Sequence, residues 1–120
     1  MELNQKQLEL LGRRNLVILA TTDKDCQPRA IIVEANKAEK DQLIITSNQM
    51  GISEKNILAN KKVFVLAYEE DYHYGIKITG EAEYLSSGEY FDYVKGLETN
   101  KNYTPKAAVV ISIKNIEEFE

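Results

Sequence analysis

One stretch limits the possible folds more than any other, because residues 76–84 (IKITGEAEY) alternate strictly in polarity. The even-numbered positions carry small or apolar side chains and end in a tyrosine, whereas the odd-numbered positions carry Lys, Thr or Glu. Side chains with a period of two face opposite sides of a β-strand, and a helix would mix them. The stretch therefore predicts a strand with one face in a core and the other in water.

Five further segments are predicted to be strands because they are short runs of apolar, often β-branched residues. They span residues 15–22, 29–35, 43–47, 63–67 and 107–113, and an acidic tail follows the last one. Turn residues (DKDCQP) and a polar run (NKAEKDQ) separate the first three, which indicates an antiparallel meander. Six mostly consecutive strands favour a barrel, since closure removes exposed edges. The predicted fold is mainly β, a six-stranded antiparallel barrel with peripheral helices.

Capping patterns predict a helix near each end of the chain. Residues 3–12 have Asn4 and Gln7 spaced as a capping box and finish on a glycine, which is typical of a helix end. Ser86 and Glu89 have the same box spacing at the start of a second amphipathic segment. Both helices are expected to pack on the barrel from outside.

The segment 41–68 is the predicted ligand site, because it contains a strand, a loop, a short helix and another strand. The first strand ends in the hydroxyl pair Thr46 and Ser47, and Ser53 is placed as the N-cap of the helix, with Glu54 in its first turn. A helix N-terminus beyond such a strand end favours an anion such as phosphate. The alternative is an ordinary capped helix that binds nothing.

Composition narrows the class of protein. The 120 residues suit a single domain, residues 1–120, and the 19 acidic and 15 basic residues are interspersed, which argues against a nucleic-acid partner. No segment has the length and apolarity of a membrane span, and the N-terminus lacks a secretion signal, so a cytoplasmic location is predicted. Cys26 and His73 are the only residues of their kinds, and no metal site is predicted.

Several motifs occur together in a recognisable order. They are NLVILATT followed by DKDCQP, LIIT at 43–46, Asn56-Ile57, NKKV at 60–63 and ITGEAEY at 78–84. In this order and spacing the chain resembles the FMN-binding split-barrel family that includes the pyridoxamine 5′-phosphate oxidases, in particular its small stand-alone members. The resemblance runs from the first helix to the last strand.

The resemblance implies FMN as cofactor and a homodimer with two FMN sites at its interface. Residues 29–33 would lie along the flavin, Thr46 and Ser47 would reach ribityl or phosphate oxygens, and Ser53 would meet the phosphate. The full implied cofactor-binding set is Arg29, Ala30, Ile31, Ile32, Val33, Thr46, Ser47, Ser53, Lys55 and Asn56.

The chain departs from the family pattern in the basic residue that usually neutralises the phosphate near the helix start. Aligning Ser53-Glu54-Lys55 gives that role to Lys55, whereas the register set by Asn56 places Ile52 there and leaves Arg29 or Lys55 to supply the charge. Cys26 replaces the usual turn glycine, either as a tolerated turn residue or as a redox centre. The phosphate contact is thus the least determined part of the expected site.

Two functions follow from the resemblance. The first is an FMN-dependent oxidoreductase of unknown substrate, distinct from true pyridoxamine phosphate oxidases because the chain lacks their Arg- and His-bearing C-terminal segment. The second is a non-catalytic module that stores FMN, senses its redox state, or holds haem or a deazaflavin, with His73 as the one imidazole available to haem. Tyr68, Tyr72 and Tyr74 either wall the flavin ring or pack as core and cross-strand partners.

Overall fold

The fold is described by a computed structural model that covers residues 1–120. Its helices are α1 (Gln5–Arg13), α2 (Ile52–Ala59) and α3 (Glu89–Lys95), followed by a short 3₁₀ turn (Glu98–Asn100), and its strands are β1 (Leu16–Thr22), β2 (Pro28–Ala38), β3 (Gln42–Ser47), β4 (Lys62–Tyr68), β5 (Gly75–Leu85) and β6 (Ala107–Phe119). The six strands form a closed barrel in the order β1-β2-β3-β6-β5-β4, and every pair is antiparallel. The predicted six-stranded antiparallel barrel with peripheral helices is confirmed. None of the helices is long and apolar enough to cross a membrane.

Strand β5 has the predicted alternation, and its even-numbered residues point into the barrel. Ile76 and Ile78 are fully buried, and Ala82 is nearly so. Gly80 is required between them, because a Cβ at this position would lie 2.7 Å from both Ile111 Cγ2 and the Ser112 carbonyl oxygen. Ile76, Ile78 and Ala82 belong to a core of 20 buried side chains that fills the barrel.

Two strands are longer than the sequence predicts. Strand β2 continues to Ala38 into the run predicted to be a polar connection, and β6 continues to Phe119 through the stretch predicted to be an acidic tail. The extension of β6 pairs with the first half of β5, where Glu117 lies opposite Lys77. Charged residues are tolerated because this face of the ladder is in water, and each pairing satisfies main-chain groups that would otherwise be bare.

Helix α1 has the predicted capping box. The Gln7 amide donates to Asn4 Oδ1 and the Asn4 amide donates to Gln7 Oε1, both at 2.9 Å. The predicted stop at Gly12 is wrong, because α1 continues to Arg13 and its C-cap is Arg14, whose φ of −120° does not need a glycine.

The predicted starts of the other two helices are wrong. Gly51, with a φ of 58°, is the N-cap of α2, so Ser53 lies inside the first turn. Gly88, with a φ of 97°, is the N-cap of α3, and the predicted box of Ser86 and Glu89 does not form. In both cases the chain turns into the helix through a left-handed conformation that glycine adopts without strain. Neither cap residue supplies a side-chain hydrogen bond.

Candidate functional site

The barrel opens between β2 and β3. Strand β2 pairs with β3 only through its residues 35–38. Its residues 28–34 pair with β1 alone. The register shifts between Ala35 and Lys37, so Asn36 forms a local bulge that turns β2 away from β3. The separation leaves a groove of about 490 Å³.

One wall of the groove is a strand edge without a partner. The Ala35 amide donates to the Asn15 carbonyl on the β1 side at 2.7 Å. Main-chain groups alternate in direction along an antiparallel strand, so those of Ala30, Ile32 and Glu34 point away from β1. Because β3 does not pair with this part of β2, these amides and carbonyls face the groove. They can hydrogen-bond a ligand laid along the strand.

The side chains around the groove divide into an apolar side and an amide-and-hydroxyl side. The lining residues are Ile31, Ile32, Val33, Glu34, Asn36, Thr46, Asn48, Gln49, Met50, Thr99, Asn100 and Tyr103. The only formal charge among them is the carboxylate of Glu34, which accepts a hydrogen bond from the Asn15 side chain at 3.0 Å. The groove therefore suits a ligand with an apolar body and several uncharged polar groups.

A buried polar network forms the floor at the end of β3. Thr46 Oγ1 donates to Asn36 Oδ1 at 2.7 Å and accepts from Asn100 Nδ2 at 2.9 Å, and the same nitrogen donates to the Val94 carbonyl at 2.8 Å. Asn48 Nδ2 donates to Asn100 Oδ1 at 3.3 Å. Asn48 Oδ1 is buried and has no partner. An unmet buried acceptor costs about 1–3 kcal/mol, so a ligand hydroxyl at this atom would be stabilising.

The groove ends at the start of α2. Met50 lines the groove, and the next residue is Gly51, the N-cap that offers no side chain to the first-turn amides. Ser53 lies just inside the helix, fully buried, and its Oγ has no hydrogen-bond partner. An uncapped helix N-terminus attracts anions through its free amides and its dipole. This end of the groove therefore suits a negatively charged group.

The groove contains four of the ten side chains predicted to bind the cofactor, namely Ile31, Ile32, Val33 and Thr46. Ser53 lies near one end of the groove but does not line it. The rest of the predicted set lies elsewhere.

Ser47 and Asn56 hold α2 against the barrel. Ser47 is fully buried and hydrogen-bonds the Tyr84 hydroxyl at 3.1 Å, and that hydroxyl donates to Glu54. Burial and then the hydrogen bond to Glu54 raise the pKa of Tyr84, which keeps the hydroxyl protonated as a donor. Asn56 donates to Thr21 at 3.0 Å. Both predicted site residues thus make contacts within the protein.

Arg29, Ala30 and Lys55 are exposed and lie outside the groove lining. Neither Arg29 nor Lys55 makes an ion pair in the structure. They remain the two predicted cations near this end of the barrel that are free to meet an anion.

Sequence reasoning missed the asparagines of the network. Asn36 lies at the bulge of β2, in a run predicted to be a connection, and no local pattern marks a bulge there. Asn100 contacts Thr46 across 54 positions of the chain, from a loop with no detectable motif. The only available signal was the residue type itself, since an asparagine occupies each of positions 36, 48 and 100.

The tyrosines proposed as a flavin wall lie away from the groove. The Tyr68 and Tyr72 rings are 5.6 Å apart at the turn between β4 and β5, and the Tyr74 hydroxyl donates to Glu118 at 2.6 Å. Burial and then this hydrogen bond raise the pKa of Tyr74, while the same bond lowers the pKa of Glu118. His73 is an exposed residue of the same turn. Tyr74 thus joins the turn to the end of β6.

The sequence matches one family model over almost its whole length. The model describes pyridoxamine 5′-phosphate oxidase and matches residues 3–119. An uncharacterized protein of Methanocaldococcus jannaschii is 37% identical over 107 residues, which cover 84% of this chain and 70% of that protein.

Solved structures share the barrel. HupZ of Group A Streptococcus superposes with a TM-score of 0.86 at 23% identity, covering 95% of this chain and 91% of that one. An FMN-binding protein of Syntrophomonas wolfei superposes with a TM-score of 0.82 at 22% identity, covering 97% and 85%. At these identities the likeness establishes the fold.

Proposed function

Since this chain belongs to the pyridoxamine 5′-phosphate oxidase family, we propose that it is a flavoprotein whose groove binds FMN, with residues 1–120 forming one flavin-binding domain. The observation that carries the proposal is the separation of β2 from β3. It produces a groove of about 490 Å³ with an apolar wall, a bare strand edge and an amide-rich floor. FMN has matching parts: a flat ring with a polar edge, a hydroxylated chain and a phosphate.

The ring fits the β2 side of the groove. Ile31, Ile32 and Val33 supply apolar contact, and the main-chain groups of Ile32 and Glu34 can pair with donors and acceptors at the ring edge. Contact of this kind depends on backbone position rather than on side-chain chemistry. It therefore holds the ring in place without a dedicated catalytic side chain.

The hydroxylated chain fits the floor, and the phosphate fits the start of α2. The unpartnered Asn48 Oδ1 can accept from a ribityl hydroxyl, and the unpartnered Ser53 hydroxyl can donate to a phosphate oxygen. No cation lines the groove, so we assign the neutralising charge to Arg29 or Lys55, which are exposed and unpaired. Hydrogen bonds to a charged oxygen are the stronger kind, so this end dominates the expected affinity.

The proposed activity is that of an oxidoreductase acting on a small molecule. Bound FMN supplies hydride or electron transfer, and the chain supplies position and electrostatics. We keep the prediction that its substrate differs from pyridoxamine phosphate. We also retain the predicted cytoplasmic location.

We further propose a homodimer. The register aligns Ile18 with Ile32 on one side and with Leu66 on the other, and it aligns Ala20 with Phe64. These side chains form an apolar outer face of β2, β1 and β4, on which Ile32 is 71% exposed and Phe64 is 37% exposed. On β5 the outer positions become charged or polar, so the face is bounded. A second copy is the partner expected to cover it.

A non-catalytic module that stores the flavin is the second candidate. The observation in its favour is that Glu34 is the only ionisable side chain in the groove besides Tyr103, which leaves little acid–base chemistry near the ring. Haem is a weaker occupant, since His73 lies in the turn between β4 and β5 and does not line the groove.

The test is titration of the purified protein with FMN and riboflavin, followed by anaerobic addition of NADH or NADPH. We expect saturable FMN binding with a shifted flavin absorption band and weaker riboflavin binding. Bleaching of the band by a reduced nicotinamide indicates an oxidoreductase, and an unreactive bound flavin indicates the storage module. Failure to bind either flavin would reject the proposal.

A further inference from the structure

A second, smaller cleft of about 210 Å³ lies where α1 meets β1, on the apolar outer face. Leu16, Ile18 and Ile32 form its apolar floor, and Arg13, Arg14 and Tyr68 line its rim. Ile32 also lines the groove, so the two cavities adjoin at this side chain.

Arg14 is held in a fixed orientation at the rim. Its Nε donates to the Tyr68 carbonyl at 3.2 Å, and the guanidinium carbon lies 5.6 Å from the centre of the Tyr68 ring. The two terminal nitrogens make no hydrogen bond or ion pair in the structure. The neighbouring Arg13 differs, because its terminal nitrogen pairs with Glu69. Arg14 thus presents a preorganised and unused pair of donors above an apolar surface.

From this geometry we infer that the Arg14 cleft binds an anionic group, carboxylate or phosphate, carried on a small apolar ring, and that the cleft is the substrate side of the flavin site. The second part rests on the proposed function. The cleft is smaller than pockets for drug-sized ligands, which run to roughly 300–1,000 Å³, so a single ring is the appropriate size.

Charge separates the two cavities. The groove has the Glu34 carboxylate and no cation among its lining residues, whereas the cleft is lined by Arg13 and Arg14 and by no carboxylate, so a substrate anion is attracted to the cleft. A substrate anchored by its charge at Arg14 would lie with its ring against Ile32, beside the ligand of the groove. The inferred substrate class is therefore a small aromatic or otherwise flat acid.

The test uses benzoate as the anion, benzamide as its neutral counterpart and phenyl phosphate to distinguish the two anions. Binding to flavin-free and to FMN-loaded protein is measured by calorimetry and by the methyl NMR signals of Leu16 and Ile32. We expect benzoate or phenyl phosphate to bind about tenfold or more tightly than benzamide, and Arg14→Gln to remove that difference. Lys95→Gln, at an exposed cation that lines neither cavity, is the control and should retain it.

Arg14→Lys keeps the charge without the planar donor pair and should bind the anions with intermediate affinity. This variant shows whether the loss of binding in Arg14→Gln comes from the missing charge or from misfolding. Equal anion binding by the parent and Arg14→Gln, or none by either, would overturn the inference. Dissociation of a dimer in Arg14→Gln would overturn it as well, by assigning the guanidinium to a carboxylate of the second copy.

The flavin readout separates this inference from the proposed function. If FMN does not bind, the proposed function fails, and the benzoate titration of flavin-free protein still decides whether the cleft binds anions. If FMN binds, benzoate should shift its absorption band, because the two ligands share Ile32. Benzoate binding without such a shift would overturn the assignment of the cleft as the substrate side.

Discussion

The side-chain amide of Asn100 donates to Thr46 Oγ1 at 2.9 Å, joining the loop after α3 to the end of β3 beneath the groove. Asn100 is buried, and its loss would leave several polar partners without hydrogen bonds. We expect Asn100→Ala to destabilise the protein by about 1–3 kcal/mol. FMN and riboflavin binding should weaken together, because the network faces the hydroxylated chain and not the phosphate. Urea unfolding and flavin titration measure both effects, with the exposed Asn102→Ala as control.

Ser53→Ala should lower the affinity for FMN without lowering the stability of the protein. Its buried Oγ has no hydrogen-bond partner within the protein, so removal should leave stability unchanged or slightly raised. If this hydroxyl donates to the phosphate, FMN affinity should fall by about 1 kcal/mol while riboflavin affinity stays the same. A loss of stability without FMN would instead show that this hydroxyl stabilises the protein itself.

The cation that meets the phosphate can be identified by comparing Arg29→Ala with Lys55→Ala. The variant that removes it should lose about 1.5–3 kcal/mol of FMN binding, since hydrogen bonds to charged groups are the stronger kind. Riboflavin serves as the internal control because it lacks the phosphate. Unchanged FMN affinity in both variants would place the phosphate elsewhere.

Cys26→Gly should stabilise the protein. Cys26 is exposed and has a φ of 64°, in the left-handed region that costs a residue with a Cβ about 1–2 kcal/mol. Part of that gain is offset by the larger backbone entropy of glycine in the unfolded chain, so we expect a net gain of about 0.5–1 kcal/mol. Gln27→Gly, at a neighbour outside this region, should destabilise. Cys26→Ala, which removes only the thiol, should leave flavin reduction unchanged if the cysteine is a turn residue.

The contact of Tyr74 with Glu118 should affect stability at both ends of the pH scale. The pKa of Glu118 is lowered from 4.5, so the unfolded chain takes up this proton first and stability is lost as the pH falls below that value. The pKa of Tyr74 is raised, so the folded chain keeps its proton longer and stability is lost as the pH rises above about 10. Glu118→Gln should reduce both dependences in unfolding experiments across pH. Glu117→Gln, at the exposed neighbour, should reduce neither.

The resemblance and the alternation of residues 76–84 were enough to predict the barrel, because strand periodicity is a local property of the sequence and the resemblance supplied the closed arrangement of the strands. The starts of α2 and α3 could not be predicted from local sequence, since the positive φ of Gly51 and Gly88 follows from how the chain enters each helix. Residues 31–33 and Thr46 of the predicted set line the same groove, because both segments flank the opening between β2 and β3. Asn100 could not be found, because only the closed barrel brings its loop beneath β3.

The bare edge of β2 also has a consequence for association between molecules. An unpaired strand edge is a template on which a strand from another chain can add, and such addition leads to ordered aggregates. Here the edge between residues 28 and 34 carries the exposed Ile32, with Arg29 near one end and Glu34 at the other. A ligand in the groove occupies the same amides and carbonyls that a foreign strand would need. If the groove binds FMN as proposed, the cofactor protects this edge, and the flavin-free protein should be the form whose edge is open to strand addition.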